Sequence, residues 1–394
     1  MSKILIIDGH SILNRGFYGL PDLTNSRGIH TNAVLGFLNI LFKIMDEEKP
    51  DHLCVAFDMS APTFRHERFK EYKGTRKPMP EELREQVPLM KRILTAMNVR
   101  ILEHAGYEAD DIIGTMSRVA EAKGYDVTIV SGDRDLLQLA TDRILVRIPK
   151  TKTGGTTVEN YYSKDVVENY GVTPEEFIDM KGLMGDTSDN IPGVPKIGEK
   201  TASKIISAYG SIENAYEHID EIKPALAQKN LREYYDQAIF SKWLATIKLD
   251  CELDCDPADC LIDNMFNEES YKLFNELELK SILKRFDFSE KKTELSPDIV
   301  MVLDEKKAEQ VFAEVKNTGR AGFYIIHGDD EMLGLTISCM ADTVYIIQCF
   351  GYVREEYITD KLIKLAEGGV ELVTLDLKEA LHFVHFIAFG FEGR

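Results

Sequence analysis

Acidic residues follow the short apolar runs in the first part of the chain. Asp8 follows the run KILII, Asp58 follows LCVAF, and Asp133 and Asp135 follow VTIVSG. In an open parallel sheet, the carboxyl ends of the strands line the functional crevice. These four carboxylates are therefore expected to meet at one sheet edge, where they could bind cations.

Two other motifs supply more carboxylates. Glu108, Asp110 and Asp111 lie in GYEADDIIG at the start of a predicted helix, and residues 108 and 111 share a helix face. Asp186 and Asp189 lie in GDTSDNIPG, which follows another predicted helix. Any one of these acids could instead cap a helix or fill a turn, which is a common role for Asp.

The nine acids together indicate a chemistry that none of them indicates alone. In one crevice they would repel each other and raise one another's pKa unless cations neutralised them. Carboxylate clusters without His or Cys favour Mg²⁺ or Mn²⁺ over zinc. A pair of such ions stabilises both the attacking and the leaving oxygen in phosphodiester hydrolysis. The sequence therefore predicts a metal-dependent nuclease that uses two or more ions.

A parallel sheet is needed to position these acids. Apolar runs at 3–7, 53–57 and 127–130 predict buried strands, and helical periodicity at 32–46, 80–97 and 110–123 predicts helices between them. The fold class is therefore α/β, with a mainly parallel sheet and flanking helices. For residues 161–248 the sequence predicts a group of short helices. After a linker at 291–297, a smaller α/β domain is predicted from strands at 323–326, 333–338, 343–348 and 370–375 and a helix at 355–367.

One segment runs against the acidic balance of the chain. The chain has 47 Lys and Arg against 66 Asp and Glu, a formal net charge of −19, so nucleic acid contacts must come from local patches or bound cations. The segment 64–77, FRHERFKEYKGTRK, holds six Lys and Arg with aromatic residues between them. This mixture is typical of a path for a single strand. A solvated helix face is the alternative interpretation.

Residues 191–210, IPGVPKIGEKTASKIISAYG, form a Gly- and Pro-rich turn ahead of a predicted helix. Such a turn presents free backbone N–H groups to a phosphate, and Lys196, Lys200 and Lys204 add positive charge. The hairpin would then hold duplex backbone without reading its sequence. The same turn could expose carbonyls to a monovalent cation, or it could be purely structural.

A family resemblance rests on five of these motifs. Together, IIDGHSILNRGFY, VAFDMSAPTFRHERFKEYKGTR, GYEADDIIGT, VSGDRDLLQL and GDTSDNIPGVPKIGEKTA resemble the flap endonuclease superfamily, most closely the N-terminal 5′-nuclease domain of bacterial DNA polymerase I, over about residues 1–290. The resemblance implies a PIN-like catalytic domain at 1–170 with a helical arch at about 62–80. It also implies a DNA-binding subdomain at 171–290 with a helix–three-turn–helix at about 185–210.

The resemblance also implies roles for individual residues. Asp110, Asp111 and Asp133 would hold catalytic ions most directly, and Asp135, Asp186 and Asp189 would serve the second ion, partly through water. The full set of metal-site acids is Asp8, Asp58, Glu108, Asp110, Asp111, Asp133, Asp135, Asp186 and Asp189. Strand threading and phosphate steering would fall to Arg15, Arg65, Tyr72, Lys73 and Arg76, of which Lys73 and Arg76 approach the scissile phosphate. The duplex- and K⁺-binding turn would include Gly193, Lys196, Gly198, Lys200 and Thr201, with Lys196 where many relatives have glycine.

The implied activity is hydrolysis of 5′ flaps and RNA primers, or of strands at nicks, in DNA replication and repair. The protein would be a monomer in the bacterial cytoplasm, associated with the nucleoid, with no membrane partner. Two alternatives stay open: an RNA-processing PIN-like nuclease and a non-catalytic module that binds DNA junctions. The cysteines predict neither a disulfide scaffold nor a zinc site.

The second domain, 298–394, resembles part of a 3′–5′ exonuclease-like, RNase H-like domain, but it departs from the active pattern. Its first strand reads GFYIIH at 322–327 where an Asp-x-Glu pair is expected, and Ala380 stands where a later acid is expected. Asp329, Asp330 and Glu331 are predicted to lie in a hairpin turn. The domain is therefore expected to be inactive, and no polymerase domain is expected within these 394 residues.

Overall fold

The computed structural model describes residues 2–152, 155–286, 297–328, 331–340, 342–349, 351, 353–375 and 377–384. The chain forms two compact units, residues 1–286 and 287–394. The predicted linker at 291–297 lies outside the described residues except for its last position. No described helix combines the length and hydropathy that a membrane span requires.

Three strands form the centre of the first sheet because their residues are apolar on both faces. They are β1 (Lys3–Asp8), β2 (His52–Ala56) and β4 (Asp126–Val130), as the sequence predicted. With β3 (Arg100–Leu102), β5 (Ile144–Lys152) and β6 (Gly155–Tyr161) they form a six-stranded sheet in the order β3-β2-β1-β4-β5-β6. All neighbours are parallel except β5 and β6. The predicted α/β class is confirmed.

Helices cover both faces of this sheet. On one face α1 (Gly9–Gly19), α2 (Asn32–Glu48) and α4 (Glu81–Ala96) pack against Leu5, Ile7, Leu53 and Val55. On the other face α5 (Ala109–Ala122) packs against the alternate strand residues. The acids at the strand ends are consequently presented at the open carboxyl edge. The helices predicted at 32–46, 80–97 and 110–123 correspond to α2, α4 and α5.

Short helices follow the sheet, as predicted. Their bounds are α6 (Ser163–Tyr170), α7 (Pro174–Met184), α8 (Glu199–Tyr209), α9 (Ile212–Glu217), α10 (Ala225–Glu233), α11 (Tyr235–Ala245), α12 (Glu268–Glu276) and α13 (Lys280–Leu283). Thr173 caps α7 by accepting the Glu176 N–H, and the Glu176 carboxylate accepts the Thr173 N–H in return. Helix α12 packs on α4 within the same compact unit.

The second unit contains a five-stranded sheet in the order β11-β8-β9-β10-β7. Its elements are β7 (Asp298–Val302), α14 (Glu305–Thr318), β8 (Arg320–His327), β9 (Met332–Ser338), β10 (Thr343–Gln348), α15 (Glu355–Glu367), β11 (Glu371–Val373) and α16 (Leu377–Val384). Strands β8, β9 and β10 are antiparallel, and the two outer pairs are parallel. The sequence predictions did not include β7 or α14.

Candidate active site

A cleft of about 870 Å³ opens at the carboxyl edge of the first sheet. Six of the nine candidate acids line it together with several cations. The acids are Asp8, Asp58, Asp110, Asp133, Asp135 and Asp186, and the cations are Arg15, Lys73, Arg76, Arg134 and Lys181. The strand-end rule therefore brought acids from β1, β2, β4 and the start of α5 into one cavity.

Asp8 ends β1 and also caps α1. Its Oδ1 accepts the Ser11 N–H (3.0 Å) and its Oδ2 accepts the Ser131 hydroxyl (2.6 Å). Burial nevertheless raises the pKa of Asp8 to about 6, helped by the neighbouring carboxylates of Asp58 and Asp133. The two hydrogen bonds, which stabilise the ionised form, therefore do not offset the effects of burial and of the neighbouring negative charges on the pKa of Asp8.

Asp58 remains ionised in the cleft because of its neighbours. Its Oδ1 accepts the Ala109 N–H (2.9 Å), which fixes the start of α5 against the end of β2, and its Oδ2 lies 3.5 Å from His10 Nδ1. Burial opposes ionisation, but these contacts and the nearby Lys73 hold the pKa of Asp58 at about 2. His10 was not among the sequence candidates, although it lies two residues after Asp8.

Asp110 and Asp135 lie where a negative charge is unfavourable. Burial raises the pKa of Asp110 well above its usual range, and the carboxylates of Asp133 and Asp8 raise it further. Burial and Asp133 also raise the pKa of Asp135 to about 7, even though Lys181 lies 2.7 Å away. The structure therefore places these acids where protons or metal cations are needed to offset their mutual repulsion.

Glu108, Asp111 and Asp189 do not line the cleft, contrary to their predicted place among the metal ligands. Asp111 is 0% exposed, and its two oxygens accept hydrogen bonds from Arg65 Nη1 and Nη2, both at 2.8 Å. Glu108 accepts from Tyr72 Oη (3.0 Å) and Lys73 Nζ (2.6 Å). The reason is electrostatic: buried carboxylates need partners, and the basic segment supplies them.

Two side chains of the basic segment, Arg65 and Tyr72, are packed inward in this structure. The segment contains one five-residue helix, α3 (Phe64–Arg68), followed by turns instead of a continuous helical arch. Arg65 and Tyr72 are buried, so neither can contact a nucleic acid strand in this arrangement, although both were predicted to do so. Lys73 and Arg76 line the cleft, and Arg76 also pairs with Asp189.

Lys181 is a site residue that sequence reasoning missed. It lies on α7 with 7% of its side chain exposed, 2.7 Å from Asp135 and 2.6 Å from Asp186. Burial opposes the Asp186 charge, but the Lys181 and Ser188 hydrogen bonds hold its pKa at about 2. The only sequence signal was a lysine five residues before Asp186, on the helix that precedes the motif.

The glycine-rich turn between α7 and α8 depends on two glycines. Gly185 and Gly193 both have left-handed φ and touch each other, so a Cβ on either would overlap backbone. Lys196 adopts a φ of +64° in the same turn, and Gly198 is the N-cap residue of α8, which has no side-chain cap. Exposed residues of the turn, Lys196, Gly198 and Lys200, are therefore available beside the N-terminus of α8.

The donor set of the cleft fits hard divalent cations. Among the described residues, no three His, Cys, Asp or Glu side chains are placed so that they could hold a metal ion by themselves. Mg²⁺ commonly keeps several waters and takes only one or two carboxylates directly. Acids that repel each other across an open cleft, such as Asp110 and Asp133, meet that requirement in donor type and charge.

Comparison with known proteins identifies the family of this chain. The model of the 5′-3′ exonuclease N-terminal resolvase-like domain matches residues 3–171, and that of the 5′-3′ exonuclease C-terminal SAM fold matches residues 172–268. The chain belongs to the 5′-3′ exonuclease family. The DNA polymerase I of Bacillus subtilis is 47% identical to this family member over 283 residues, which are 72% of this chain and 32% of that protein.

A longer alignment includes the second unit. The DNA polymerase I of Lactococcus lactis subsp. cremoris is 38% identical over 393 residues, 97% of this exonuclease-family chain and 42% of that protein. The chain thus spans about a third to two-fifths of the length of such relatives. Among solved structures, T5 5′-exonuclease with bound zinc gives a TM-score of 0.52 at 22% identity, covering 70% of this chain and 98% of that one, and thereby supports the fold.

Proposed function

We propose that the first unit is a two-metal 5′ nuclease that cleaves 5′ flaps and RNA primers, or strands at nicks. The observation that carries the proposal is the cleft in which Asp8, Asp110, Asp133 and Asp135 face each other with too few cations to neutralise them. Such a cleft is unfavourable in itself and suits a site that takes up divalent cations with its substrate. Membership of the 5′-3′ exonuclease family supports the same reading.

The acids that line the cleft, Asp8, Asp58, Asp110, Asp133, Asp135 and Asp186, would hold the ions. Bound Mg²⁺ or Mn²⁺ would supply an activated water and stabilise the leaving oxygen of the phosphodiester. Lys181 keeps Asp135 and Asp186 together, and Asp58 keeps the start of α5 in place. Lys73 and Arg76 reach the same cleft from the basic segment, where their charge would stabilise a reacting phosphate.

The hairpin of α7 and α8 would hold the duplex part of the substrate. Its N–H groups at the start of α8 and the exposed Lys200 suit backbone phosphates, which are contacted without regard to sequence. We also propose K⁺ as an occupant of the turn. Its carbonyls of Gly193 and Pro195 already accept the amides of Gln237 and Asn230, both at 2.6 Å, so only their remaining lone pairs are available.

The direct test is a labelled 5′-flap DNA incubated with the protein. We expect cleavage near the junction with Mg²⁺ or Mn²⁺, no cleavage with EDTA, and recovery when Mg²⁺ is restored. A 3′-flap DNA of the same sequence is the control and should stay intact. Cleavage in EDTA would contradict the metal dependence, and binding without cleavage at any Mg²⁺ concentration would favour the junction-binding alternative.

Lys73 should affect the rate more than the affinity. We expect Lys73→Ala to lower the single-turnover cleavage rate by roughly 10²-fold with a modest change in flap binding, because its charge acts at the reacting phosphate. Lys70→Ala is the matched control, since Lys70 is exposed in the same segment and does not line the cleft. Equal losses of binding in both variants, with an unchanged rate at saturation, would contradict this role.

We further propose that the second unit has no 3′–5′ exonuclease activity. Ile325, on the strand where the Asp-x-Glu pair is expected, and Ala380 are both buried in the apolar core of this unit. Asp329 and Asp330 lie outside the described residues, and Glu331 directly precedes β9. This unit thus differs from the first, whose acids line an open cleft.

A further inference from the structure

A buried glutamine lies directly behind the acids that follow β4. Gln138 belongs to the motif VSGDRDLLQL and lies on a 3₁₀ helix, Asp135–Leu139. It is 5% exposed and does not line the cleft. The proposed reaction uses Asp133 and Asp135 of this motif but gives Gln138 no part.

Both donors and the acceptor of the Gln138 amide are used. Its Nε2 donates to the backbone carbonyls of Asp135 (2.9 Å) and Ala245 (3.0 Å), and its Oε1 accepts the Ile247 N–H (3.0 Å). A flipped amide would set Nε2 against an N–H and Oε1 against two carbonyls, so the surrounding backbone fixes this orientation. Gln138 therefore joins the backbone that carries Asp135 to the segment 244–248.

Segment 244–248 is in turn fastened to α5, the helix whose first turn carries another group of acids. The Lys248 N–H donates to Asp111 Oδ1 (2.8 Å). The absence of a side chain at Gly114 allows a close approach, because a Cβ there would lie 2.7 Å from Ile247 Cγ2. The segment thus forms a bridge between the 3₁₀ helix and α5.

The acids at the two ends of this bridge repel their neighbours. Burial and the charge of Asp133 raise the pKa of both Asp110 and Asp135. Lys181 holds the side chain of Asp135 (2.7 Å), and Gln138 holds its backbone carbonyl. Contacts of this kind orient metal-binding groups, and removing one typically costs roughly 10–100-fold in metal affinity or activity.

We propose that Gln138 is a positioning residue for the metal site: through segment 244–248 it sets the distance between Asp135 and the acids at the start of α5. The inference rests on the proposed nuclease function and adds to it a residue that lies outside the cleft. A two-ion site depends on the spacing of its ligands, so a looser bridge should weaken metal binding. A glutamine with a purely structural role would contribute to stability and leave metal binding unchanged.

The test compares Gln138→Met with Gln86→Met. Methionine keeps the approximate length of the side chain and removes its hydrogen bonds. Gln86 is a matched control because it is 1% exposed, donates to the Glu82 carbonyl (2.9 Å) and accepts the Ala33 N–H (2.8 Å), but it links α4 to α2 and does not line the cleft. Both variants should therefore have a lower melting temperature than the unmodified protein.

Metal binding separates the two variants. Mn²⁺ is titrated into the protein without DNA, and the free ion is measured by electron paramagnetic resonance. We expect the Kd for Mn²⁺ to rise about tenfold in Gln138→Met and to stay unchanged in Gln86→Met. The Mg²⁺ concentration that gives half-maximal cleavage of a 5′ flap should rise by a similar factor in Gln138→Met and not in Gln86→Met.

A third variant loosens the bridge at its other end. The Thr115 hydroxyl on α5 donates to the Lys248 carbonyl (3.3 Å), so Thr115→Val should also weaken Mn²⁺ binding, and it decides the matter if Gln138→Met does not fold. In the double variant the two losses should be less than additive, because both substitutions break one bridge.

Two results would overturn the inference: an unchanged Kd for Mn²⁺ in both Gln138→Met and Thr115→Val, or an equal rise of that Kd in Gln86→Met. Failure of the nuclease proposal would be distinguishable from both. In that case the unmodified protein would not cleave the flap with Mg²⁺ or Mn²⁺, whereas the Mn²⁺ titration, which needs no DNA, would still compare Gln138→Met with its control.

Discussion

Asp110→Asn is expected to lower the flap-cleavage rate by roughly 10³-fold or more while raising the melting temperature of the metal-free protein. The rate falls because Asp110 would hold an ion in the cleft that it lines with Asp8 and Asp133. The stability rises because the substitution removes one of several carboxylates that repel each other in the folded state. A substitution that lowers the activity and raises the stability is typical of a site where function requires mutually repelling charges.

The pH dependence of the stabilisation checks its cause. Burial and neighbouring carboxylates raise the folded-state pKa of Asp110, so the folded protein holds its proton more tightly than the unfolded chain does. The destabilising effect is therefore absent at pH values below the ordinary Asp pKa and grows until the folded-state pKa is passed. Thermal unfolding in EDTA at about pH 3 and about pH 7.5 should show a gain of a few degrees only at the higher pH.

A matched control is Asp142→Asn, because Asp142 is exposed and lies outside the cleft. It should change neither the cleavage rate nor the melting temperature. Mg²⁺ should also narrow the stability difference between Asp110→Asn and the unmodified protein, since a bound cation offsets the same repulsion. A lower melting temperature for Asp110→Asn at neutral pH would contradict the electrostatic account.

The sequence predicted the parts of the site that follow from local pattern. Continuous apolar runs, without the alternation of a half-exposed strand, predicted β1, β2 and β4. The acids that follow these runs predicted the functional edge of the sheet. The hairpin β5–β6 was missed because Arg147, Lys150 and Lys152 interrupt the apolar run of β5. Arg147 is accommodated there by Glu47 and Glu48 on α2, a contact between distant segments that periodicity does not reveal.

The roles of the basic residues could not be assigned from pattern for the same reason. Lys73 and Arg76 line the cleft, whereas Arg65, in the same run of charges, is turned toward Asp111 on α5. Composition favoured a single-strand path for the entire segment, but it contains no information on which cations the buried acids require as partners. The inward packing of Arg65 depends on the positions of the neighbouring helices. Its substitution is therefore expected to lower the stability of the protein, and not to remove a direct contact with the nucleic acid strand.

Arg65→Ala is expected to destabilise the first unit by about 3–5 kcal/mol, the usual cost of breaking a buried ion pair by removing one partner. The side chain of Arg65 is 2% exposed and donates to both oxygens of the fully buried Asp111. It also donates to the backbone carbonyls of Leu244 (2.9 Å) and Thr246 (2.6 Å), which tie the end of α11 to α5. Its removal leaves a buried charge and two carbonyls without these donors.

The measurement is urea unfolding followed by the fluorescence of Trp243, the single tryptophan, which lies in the first unit. Arg68→Ala is the control: Arg68 is exposed and stacks on Trp243 at 4.3 Å, a contact of about 0.5–1 kcal/mol. Arg65→Lys should recover only part of the loss, because an ammonium cannot match the fork of two hydrogen bonds to Asp111.

The double variant Arg65→Met, Asp111→Leu separates a structural role from a DNA-binding one. Removing both charges should recover part of the stability that Arg65→Ala loses, because the isolated buried carboxylate is then absent. Recovery stays incomplete because the N–H groups of Lys248 (2.8 Å) and Glu108 (3.1 Å) lose Asp111 as their acceptor. Flap affinity should follow stability in this series, with Arg65→Met, Asp111→Leu binding better than Arg65→Ala. A different outcome would contradict this role: Arg65→Ala has a free energy of unfolding within about 1 kcal/mol of that of the unmodified protein and still loses flap binding. Arg65 would then contact the nucleic acid, as the sequence pattern alone had indicated, and its pairing with Asp111 would not be needed for the fold.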